Sequence, residues 1–286
     1  MFAVLISTYN VKNLFLTGEG PTKPAAEVRP LLRMIDQVAA QVMVLQEVGS
    51  RETLVQLNSQ LAQPYPHLAL LPGNSRRSIH IALLSRFSMR VLSHRSHRLT
   101  DAAGKILSFY PDAAAAATKQ PQDLVFARDL VQVEIALSGQ TRPLTLFCVH
   151  LKSRMNSGWQ CLAASDMREA ECRAMANVVS EYQKTWPQAR YLILGDFNDL
   201  LSSEALAPLA ALSMHDPLGE QLRRSGRNPS TYWSRRRTRI DHILVSQSVL
   251  PHVRPDSAKI HVSQMARAAS DHYPVSLELE SFQGCV

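Results

Sequence analysis

Short apolar runs that stop at a polar, reactive residue are the feature that most constrains this chain. Each run spans four to six residues and is rich in valine, isoleucine and leucine, which is typical of buried strands. The runs are Ala3–Ile6, Val42–Leu45, Ile79–Leu84, Leu130–Ile135, Leu144–Val149, Tyr191–Leu194, Ile240–Val245 and Val275–Leu279.

Two segments between these runs have the periodicity of helices. Residues 28–40 and 166–185 space their apolar side chains three and four positions apart, as on one face of a helix. Other neighbouring runs are joined by short turns. The pattern therefore predicts an α+β (mixed α/β) fold in which two packed β-sheets are flanked by helices, a four-layer sandwich. We expect residues 1–286 to form a single domain.

Composition indicates a folded protein, because 45% hydrophobic and 19% charged residues are typical of globular domains. No apolar run approaches the roughly 20 residues that span a bilayer. The apolar start, Met1–Ile6, lacks the basic residues of a signal peptide. Four cysteines could form two bridges, but without CxxC spacing or a sign of export we expect reduced thiols in a cytoplasmic protein. They are Cys148, Cys161, Cys172 and Cys285.

The chain is basic, with a net charge of +7 and a pI near 9.4. This charge favours a polyanionic partner such as nucleic acid or an anionic membrane surface, although many soluble proteins are mildly basic without binding either. Tyr232 and Trp233 lie beside the basic clusters and could stack on bases. The clusters comprise Arg76, Arg77, Arg223, Arg224, Arg227, Arg235, Arg236, Arg237 and Arg239.

The polar residues at or near the ends of the apolar runs are those that bind metal ions or transfer protons. Each alone is more often a turn residue, a helix cap or a structural histidine. Their repetition at strand ends predicts that they meet at one site on a rigid scaffold. They are Asn10, Glu47, His150, Asp196, Asn198, Asp241, Asp271 and His272.

These residues stand in motifs that resemble the endonuclease/exonuclease/phosphatase superfamily, which includes DNase-type nucleases, sphingomyelinases and inositol-phosphate phosphatases. Single motifs are weak, but here the set occurs in the order of the family. The motifs are TYNVKNL at 8–14, LQEV at 45–48, LLSR at 83–86, VHLKS at 149–153, GDFND at 195–199, RIDHIL at 239–244 and SDHYPV at 270–275.

The resemblance implies a divalent metal site. A glutamate at the position of Glu47 binds the metal in this family, and Asn10 and Asp271 would help to complete the site. A hard cation offsets the negative charge by which a phosphate diester repels nucleophiles. Mg²⁺ suits so few protein ligands because it retains waters, and Mn²⁺ would also fit.

The resemblance also implies the catalytic roles. Asp196 would take a proton from the attacking water, and Asn198 would aim water or phosphate. His272, oriented and kept protonated by Asp241, would contact the scissile phosphate. On the far side of the phosphate, His150 would stabilise the developing charge or protonate the leaving oxygen.

Two arginines are further candidates. Arg239 is the first residue of the motif that contains Asp241 and is expected to contact phosphate. Arg128 matches the family more loosely, and a surface salt bridge is the alternative reading. The chain departs from its relatives at His80, where many carry an acidic residue that could partner the first histidine. Here His150 must find another partner, or its role is altered.

A nuclease that cleaves nucleic-acid phosphodiester bonds is the favoured function. In the superfamily that the chain resembles, abasic-site repair enzymes carry a tyrosine-bearing segment before their central strands. Residues 111–127 of this chain are alanine-rich instead, so the resemblance disfavours that activity. The alternative is a phosphatase or phosphodiesterase acting on a small or lipid phosphate ester. A noncatalytic nucleic-acid scaffold is least favoured because the expected catalytic residues are all present. The sequence predicts no stable membrane association and identifies no protein partner.

Overall fold

Two β-sheets form the centre of the protein. The computed structural model describes residues 3–17, 20–74, 77–100, 106–107, 110–111, 123–137, 142–155, 163–227, 230–233 and 238–280. Sheet A has six strands in the order β14-β15-β1-β2-β4-β3. Its strands are β1 (Val4–Leu14), β2 (Val42–Val48), β3 (His67–Leu71), β4 (His80–Ser85), β14 (Lys259–Ile260) and β15 (Val275–Leu279).

Sheet B has five strands in the order β13-β12-β11-β10-β5. Its strands are β5 (Met89–Ser93), β10 (Val131–Ile135), β11 (Leu144–His150), β12 (Arg190–Asp196) and β13 (Asp241–Val245). Four short strands form two separate two-stranded pairs. They are β6 (Leu99–Thr100), β7 (Ile106–Leu107), β8 (Tyr110–Pro111) and β9 (Asp123–Leu124).

Helices cover the outer faces of both sheets. They are α1 (Ala25–Val38), α2 (Arg51–Ser59), α3 (Ala164–Thr185), α4 (Pro217–Ser225) and α5 (Gln264–Ala269), with 3-10 helices at Glu204–Leu212 and Leu250–His252. Alternate strand residues face opposite layers. Leu146 packs between the sheets, whereas its neighbour Phe147 packs against Tyr182 of α3. On the other side, Leu45 of sheet A packs against Ile35 of α1. The predicted four-layer α+β sandwich is confirmed.

The strand directions bring one edge of each sheet to the same place. β1 runs parallel to β2, and β15 runs antiparallel to β1. In sheet B, β11 runs parallel to β12, and β13 runs antiparallel to β12. The ends of β11 and β12 therefore lie beside the start of β13, and His150, Asp196 and Asp241 share one edge of the sheet.

Some sequence features lie outside the described residues: the alanine run at 113–117, Arg76, Arg235, Arg236, Arg237, Cys161 and Cys285. The two cysteines that lie among the described residues, Cys148 and Cys172, are free and buried. Among the described helices, none is long and apolar enough to cross a membrane.

Gly195 allows the close pairing that ends β11 and β12. It has φ of +146°, and a Cβ there would overlap the carbonyl oxygen of its pair partner Val149. We expect Gly195→Ala to lower the free energy of unfolding by about 3 kcal/mol or more, because strain and overpacking add. Gly226→Ala is the matched control, since Gly226 has φ of +63° but nothing within 4 Å of the added atom. Urea denaturation measures the free energy of unfolding of both variants. An equal decrease in the two would contradict the steric explanation.

Candidate active site

A cleft of about 300 Å³ opens at the shared edge of the two sheets. It is lined by Asn10, Lys12, Asn13, Glu47, Arg77, His150, Ser153, Arg154, Met155, Asp196, Asn198, Tyr232, Thr238, Ile240, Asp271 and His272. Most of the predicted site residues are in this set. Asp241 is joined to it through His272, whereas Arg128 and Arg239 do not line the cleft.

Two shifts in strand register lie at the cleft residues of sheet A. The pairing of β1 with β2 shifts register between Asn10 and Leu14, and that of β2 with β4 shifts between Gln46 and Val48. Glu47, inside the second shift, has φ of +68°. Asn10 and Glu47 thus lie within their strands, not after them as the sequence suggested. Register shifts of this kind include bulges, which re-aim side chains at functional sites.

The oxygen donors from sheet A lie close to Asp196 of sheet B. The Asn10 amide donates to Asp196 Oδ2 at 2.9 Å, and Asn10 Oδ1 accepts the Lys12 N–H at 3.0 Å. Glu47 Oε2 accepts the Asn13 N–H at 2.8 Å. Strand-borne hydrogen bonds therefore fix both side chains before any ligand arrives.

His272 and Asp241 form a buried ion pair. His272 Nδ1 donates to both Asp241 carboxylate oxygens, at 3.0 and 2.9 Å. Burial alone would lower the pKa of His272, but the carboxylates of Asp241 and Asp196 raise it to about 10. The ring is therefore protonated at neutral pH, and its Nε2 lies 3.9 Å from Asp196 Oδ2.

Asp196 and Asn198 form the opposite wall. The Asn198 N–H donates to Asp196 Oδ1 at 2.8 Å, and its amide donates to Asp196 Oδ2 at 3.1 Å and to the Leu151 carbonyl at 3.0 Å. Asn198 has φ of +55°, a conformation that asparagine tolerates better than most residues. Burial and the nearby Asp241 raise the pKa of Asp196 to about 7.

His150 is buried between two carboxylates. Its Nε2 lies 3.6 Å from Asp196 Oδ2 and 3.9 Å from Glu47 Oε1. Its buried Nδ1 has no hydrogen-bond partner among the described residues. Burial and the nearby Arg128 guanidinium hold its pKa well below the usual range, so the ring is neutral.

His80 is not the partner of that histidine. Its Nδ1 accepts the Gly73 N–H at 3.1 Å, and burial lowers its pKa. No hydrogen bond or ion pair between described atoms links it to His150. Because residue 80 is a histidine and not an acid, the carboxylates nearest to His150 are those of Glu47 and Asp196.

The two arginines predicted to contact phosphate have other surroundings. Arg239 makes a bidentate ion pair with Asp216, at 2.9 and 2.5 Å. Asp216 also caps α4 through the Gly219 N–H. Arg128 is only 4% exposed, so it is not part of a surface salt bridge. It lies close enough to His150 to lower its pKa.

Sequence reasoning missed two cleft arginines as site residues. Arg77 donates to Asn13 Oδ1 at 2.9 Å and lies 3.9 Å from Glu47. Arg154 donates to the Asn198 carbonyl at 3.2 Å and forms an ion pair with Asp199. Both side chains are about half exposed. The sequence did contain a signal, because Arg77 precedes one family motif and Arg154 directly follows another. Position in the sequence does not show, however, which residues these arginines contact.

A buried acid that the sequence did not single out supports this wall. Glu171 of α3 accepts the Ala127 N–H at 2.8 Å and the Lys152 N–H at 2.5 Å. Burial raises its pKa to about 7. The carboxylate thereby holds the segments that carry Arg128 and His150. A lone glutamate among apolar residues on the buried face of a predicted helix was the available signal.

The family model for endonucleases, exonucleases and phosphatases matches residues 7–272, nearly the whole chain. The chain belongs to the endonuclease/exonuclease/phosphatase family. The match spans six of the seven motifs in full and ends inside the seventh, at His272. It includes both walls of the cleft. None of the curated proteins compared by sequence matches the chain.

Solved structures of this family share the fold. The catalytic domain of human Nocturnin with bound sulfate aligns with a TM-score of 0.65 and 16% identity, over 96% of this chain and 93% of its own. Humanized TDP2 from D. rerio aligns with a TM-score of 0.59 and 20% identity, over 98% of this chain and 99% of its own. An AP endonuclease from Archaeoglobus fulgidus aligns with a TM-score of 0.59 and 12% identity, over 97% of this chain and 100% of its own. At these identities the likeness shows the fold alone.

Two separate donor sets in this family member could hold a divalent cation. Ligand atoms of Asp196, Asp241 and His272 lie within 4.8 Å of one another. His272, however, is protonated and bonded to Asp241, so its nitrogens are poor ligands. Glu47 and Asp271, with the Asn10 amide, place oxygen donors in the same cleft. Oxygen donors of this kind fit Mg²⁺ or Mn²⁺.

Proposed function

We propose that this protein is a nuclease that hydrolyses phosphodiester bonds of nucleic acid with a bound Mg²⁺, for which Mn²⁺ can substitute. The observation that carries the proposal is the meeting of a protonated histidine, a buried carboxylate and oxygen donors in one cleft. Two arginines frame that cleft. Tethered charges of both signs around a small space suit phosphoryl transfer, where positioning and charge stabilisation supply most of the rate.

Glu47, with Asn10 and Asp271, would hold the cation. The cation would offset phosphate charge and polarise a phosphoryl oxygen. The side-chain geometry around it supports this assignment, because Glu47 is fixed by the Asn13 N–H and Asn10 by Asp196 and Lys12. The alternative donor set, centred on His272, requires the loss of a proton from an ion pair.

Asp196 would accept a proton from the attacking water. A carboxylate with pKa near 7 is suited to this role at neutral pH. Asn198 would aim the water through its amide oxygen, because its amide nitrogen already donates to Asp196 and to the Leu151 carbonyl. His272 would contact the scissile phosphate as a cation, and Asp241 would fix its orientation through Nδ1.

His150 would act on the far side as a neutral hydrogen-bond donor. Its low pKa supports stabilisation of charge on the leaving oxygen over direct protonation. Arg128, buried behind it, favours the neutral ring. A direct phosphate contact by Arg128 or Arg239 stays a prediction, and the pairing of Arg239 with Asp216 favours a supporting role there.

An exposed aromatic residue beside the cleft supports a nucleic-acid substrate. Trp233 is 60% exposed and lies 5.6 Å from the guanidinium of Arg267. The backbone N–H of Trp233 donates to the Asp271 carbonyl at 2.6 Å, which holds this residue near the proposed cation ligands. Tyr232 packs 4.9 Å from the His272 ring. Two aromatic rings beside a basic cleft suit base stacking.

Relatives in this family act on different phosphate esters. One aligned structure is named as an AP endonuclease, and the alanine-rich segment at 111–127 disfavours that activity here. A small or lipid phosphate ester is the second candidate, favoured by the modest cleft volume of about 300 Å³. A cytoplasmic location and a single domain over residues 1–286 stay predictions of the sequence.

The substrate panel that tests the proposal contains plasmid DNA, single-stranded DNA, RNA, a chromogenic phosphodiester and an inositol phosphate. Each is incubated with Mg²⁺, Mn²⁺ or EDTA. We expect cleavage of at least one nucleic acid with either metal and none with EDTA. Cleavage of the inositol phosphate alone would overturn the nuclease assignment and favour the second candidate.

Arg154→Ala is expected to raise KM for an oligonucleotide roughly tenfold with little change in kcat. A charge-assisted bond to a phosphate outside the reacting group contributes about this much to binding. Initial rates on an oligonucleotide and on the chromogenic diester measure the effect, and the small substrate should be unaffected. Arg254→Ala is the control, because Arg254 is an exposed, ion-paired arginine bonded to Glu278. A similar change in both variants would refute a specific role.

The rate of hydrolysis is expected to fall as the pH rises through about 10, because His272 then loses its charge. Asp241→Asn removes a carboxylate that raises this pKa, so the alkaline fall should move toward neutrality. pH–rate profiles at saturating Mg²⁺ test this. Asp256→Asn, on an exposed ion pair with Arg224, should leave the profile unchanged. If the fall in rate at alkaline pH stays at the same pH in Asp241→Asn, that fall reports the titration of a group other than His272.

A further inference from the structure

A second cavity lies at the opposite edge of sheet B. Its volume is about 520 Å³, within the range of sites for small molecules. It opens where β11 and β12 begin and α3 ends, whereas His150 and Asp196 end the same two strands. Because each strand has seven residues, the two sites are about 20 Å apart. The proposed hydrolysis does not use this cavity.

One wall of the cavity is a fixed aromatic ring. Tyr182 packs edge-on against Phe147, with centroids 5.4 Å apart, and against Tyr191 at 6.1 Å. Its hydroxyl is bonded to Thr145 Oγ1 at 2.7 Å. The ring therefore offers a rigid apolar surface whose polar atom is already satisfied.

Trp186 supplies an exposed indole beside that ring. It is 61% exposed, although a large aromatic side chain gains much from burial. Its backbone is fixed, because the Trp186 N–H donates to the Tyr182 carbonyl and its carbonyl accepts the Ala189 N–H, both at 2.9 Å. Pro187 stiffens the turn between them. Aromatic side chains are common in the walls of ligand pockets, and this indole stands ordered in such a wall.

The charges around the cavity favour an anion. Arg90 and Glu134 form a bidentate pair at 2.9 and 2.8 Å, so that pair is neutral. Arg142 and Arg190 also line the cavity. Among the residues that line the cavity, arginines outnumber carboxylates. A ligand that fills this space should therefore combine a flat aromatic ring with a negatively charged group.

We propose that this cavity binds a nucleoside monophosphate. The base would stack on Trp186 and Tyr182, and the phosphate would meet Arg142 and Arg190. Ring stacking and guanidinium–phosphate contacts are the two interactions that the walls offer. The site is independent of the cleft and of the proposed nuclease activity.

Calorimetric titration of the full chain with AMP, adenosine and inorganic phosphate, in EDTA, tests the proposal. EDTA separates binding from hydrolysis, so failure of the nuclease assignment would not affect this result. We expect AMP to bind at least tenfold more tightly than adenosine or phosphate alone. Trp186→Ala and Arg142→Ala should each weaken AMP binding at least tenfold. Arg142 is an exposed residue, so its replacement tests the site without disturbing the core.

Trp233→Ala is the matched control, because Trp233 is an equally exposed tryptophan at the cleft. It should leave AMP affinity unchanged. Loss of binding in Trp233→Ala with retention in Trp186→Ala would place AMP in the cleft and overturn the proposal. So would an absence of AMP binding, or equal affinity in both cavity variants and the parent protein.

Discussion

Replacing His272 with alanine is expected to slow nucleic-acid hydrolysis by roughly 10³-fold, within the range for loss of an acid–base or charge-stabilising group. The reason is the charge that the fold maintains there. Asp241 and Asp196 keep His272 protonated despite its burial, and the bond from Nδ1 to Asp241 leaves Nε2 for the phosphate. Single-turnover rates at saturating Mg²⁺ measure the effect on the chemical step without product release.

Two controls separate this loss from a general disturbance. His215→Ala removes a histidine bonded to Gln247 at 2.7 Å, outside the cleft, and should retain full activity. Mg²⁺ binding by His272→Ala should be unchanged, because the proposed ligands are oxygen atoms on other residues. Near-normal rates in His272→Ala, or Mg²⁺ affinity lost with the rate, would contradict the assigned role.

The central strands could be predicted from sequence because they are buried on both faces. Their runs are almost continuously apolar, a pattern that only an interior strand needs. The edge strands His67–Leu71 and Met89–Ser93 were missed, since each has a partly exposed face. Such strands alternate weakly, and their pairing partners are set by the tertiary fold.

The short helices were also missed, although their sequences contain a signal. Ser50, Asp216 and Ser263 each cap a helix by accepting a backbone N–H three residues later. Serine and aspartate are preferred caps. The helices they begin have six to nine residues, too few to establish a clear apolar period.

The meeting of the site residues followed from the sequence, but their exact geometry did not. Alternation along a strand assumes a regular ladder, and the register shifts around Asn10 and Glu47 break it. The partner of Arg239 lies 23 residues away at Asp216, the N-cap of a helix that the sequence did not reveal. Long-range pairs of this kind depend on the packing of whole elements.

Glu47→Gln is expected to weaken Mg²⁺ binding by roughly 10- to 100-fold and to slow hydrolysis by roughly 10²-fold or more. Glutamine keeps the size of the side chain and removes its charge. Glu47 occupies a left-handed conformation, φ +68°, that glycine or asparagine would adopt with less strain. A glutamate held there argues that its carboxylate is needed in the cleft. Calorimetry with Mg²⁺ alone and rates across Mg²⁺ concentrations measure the two effects.

Glu278→Gln provides the matched control, because Glu278 is a carboxylate paired with Arg254 away from the cleft. It should change neither affinity nor rate. If raised Mg²⁺ restores much of the rate in Glu47→Gln, the carboxylate acts mainly by holding the ion. If Mg²⁺ binds Glu47→Gln normally, the ion must be held elsewhere. The cluster of Asp196, Asp241 and His272 would then be the remaining candidate for the metal site. A histidine nitrogen that binds a metal ion carries no proton. The assignment of His272 as a protonated phosphate contact would therefore fail as well.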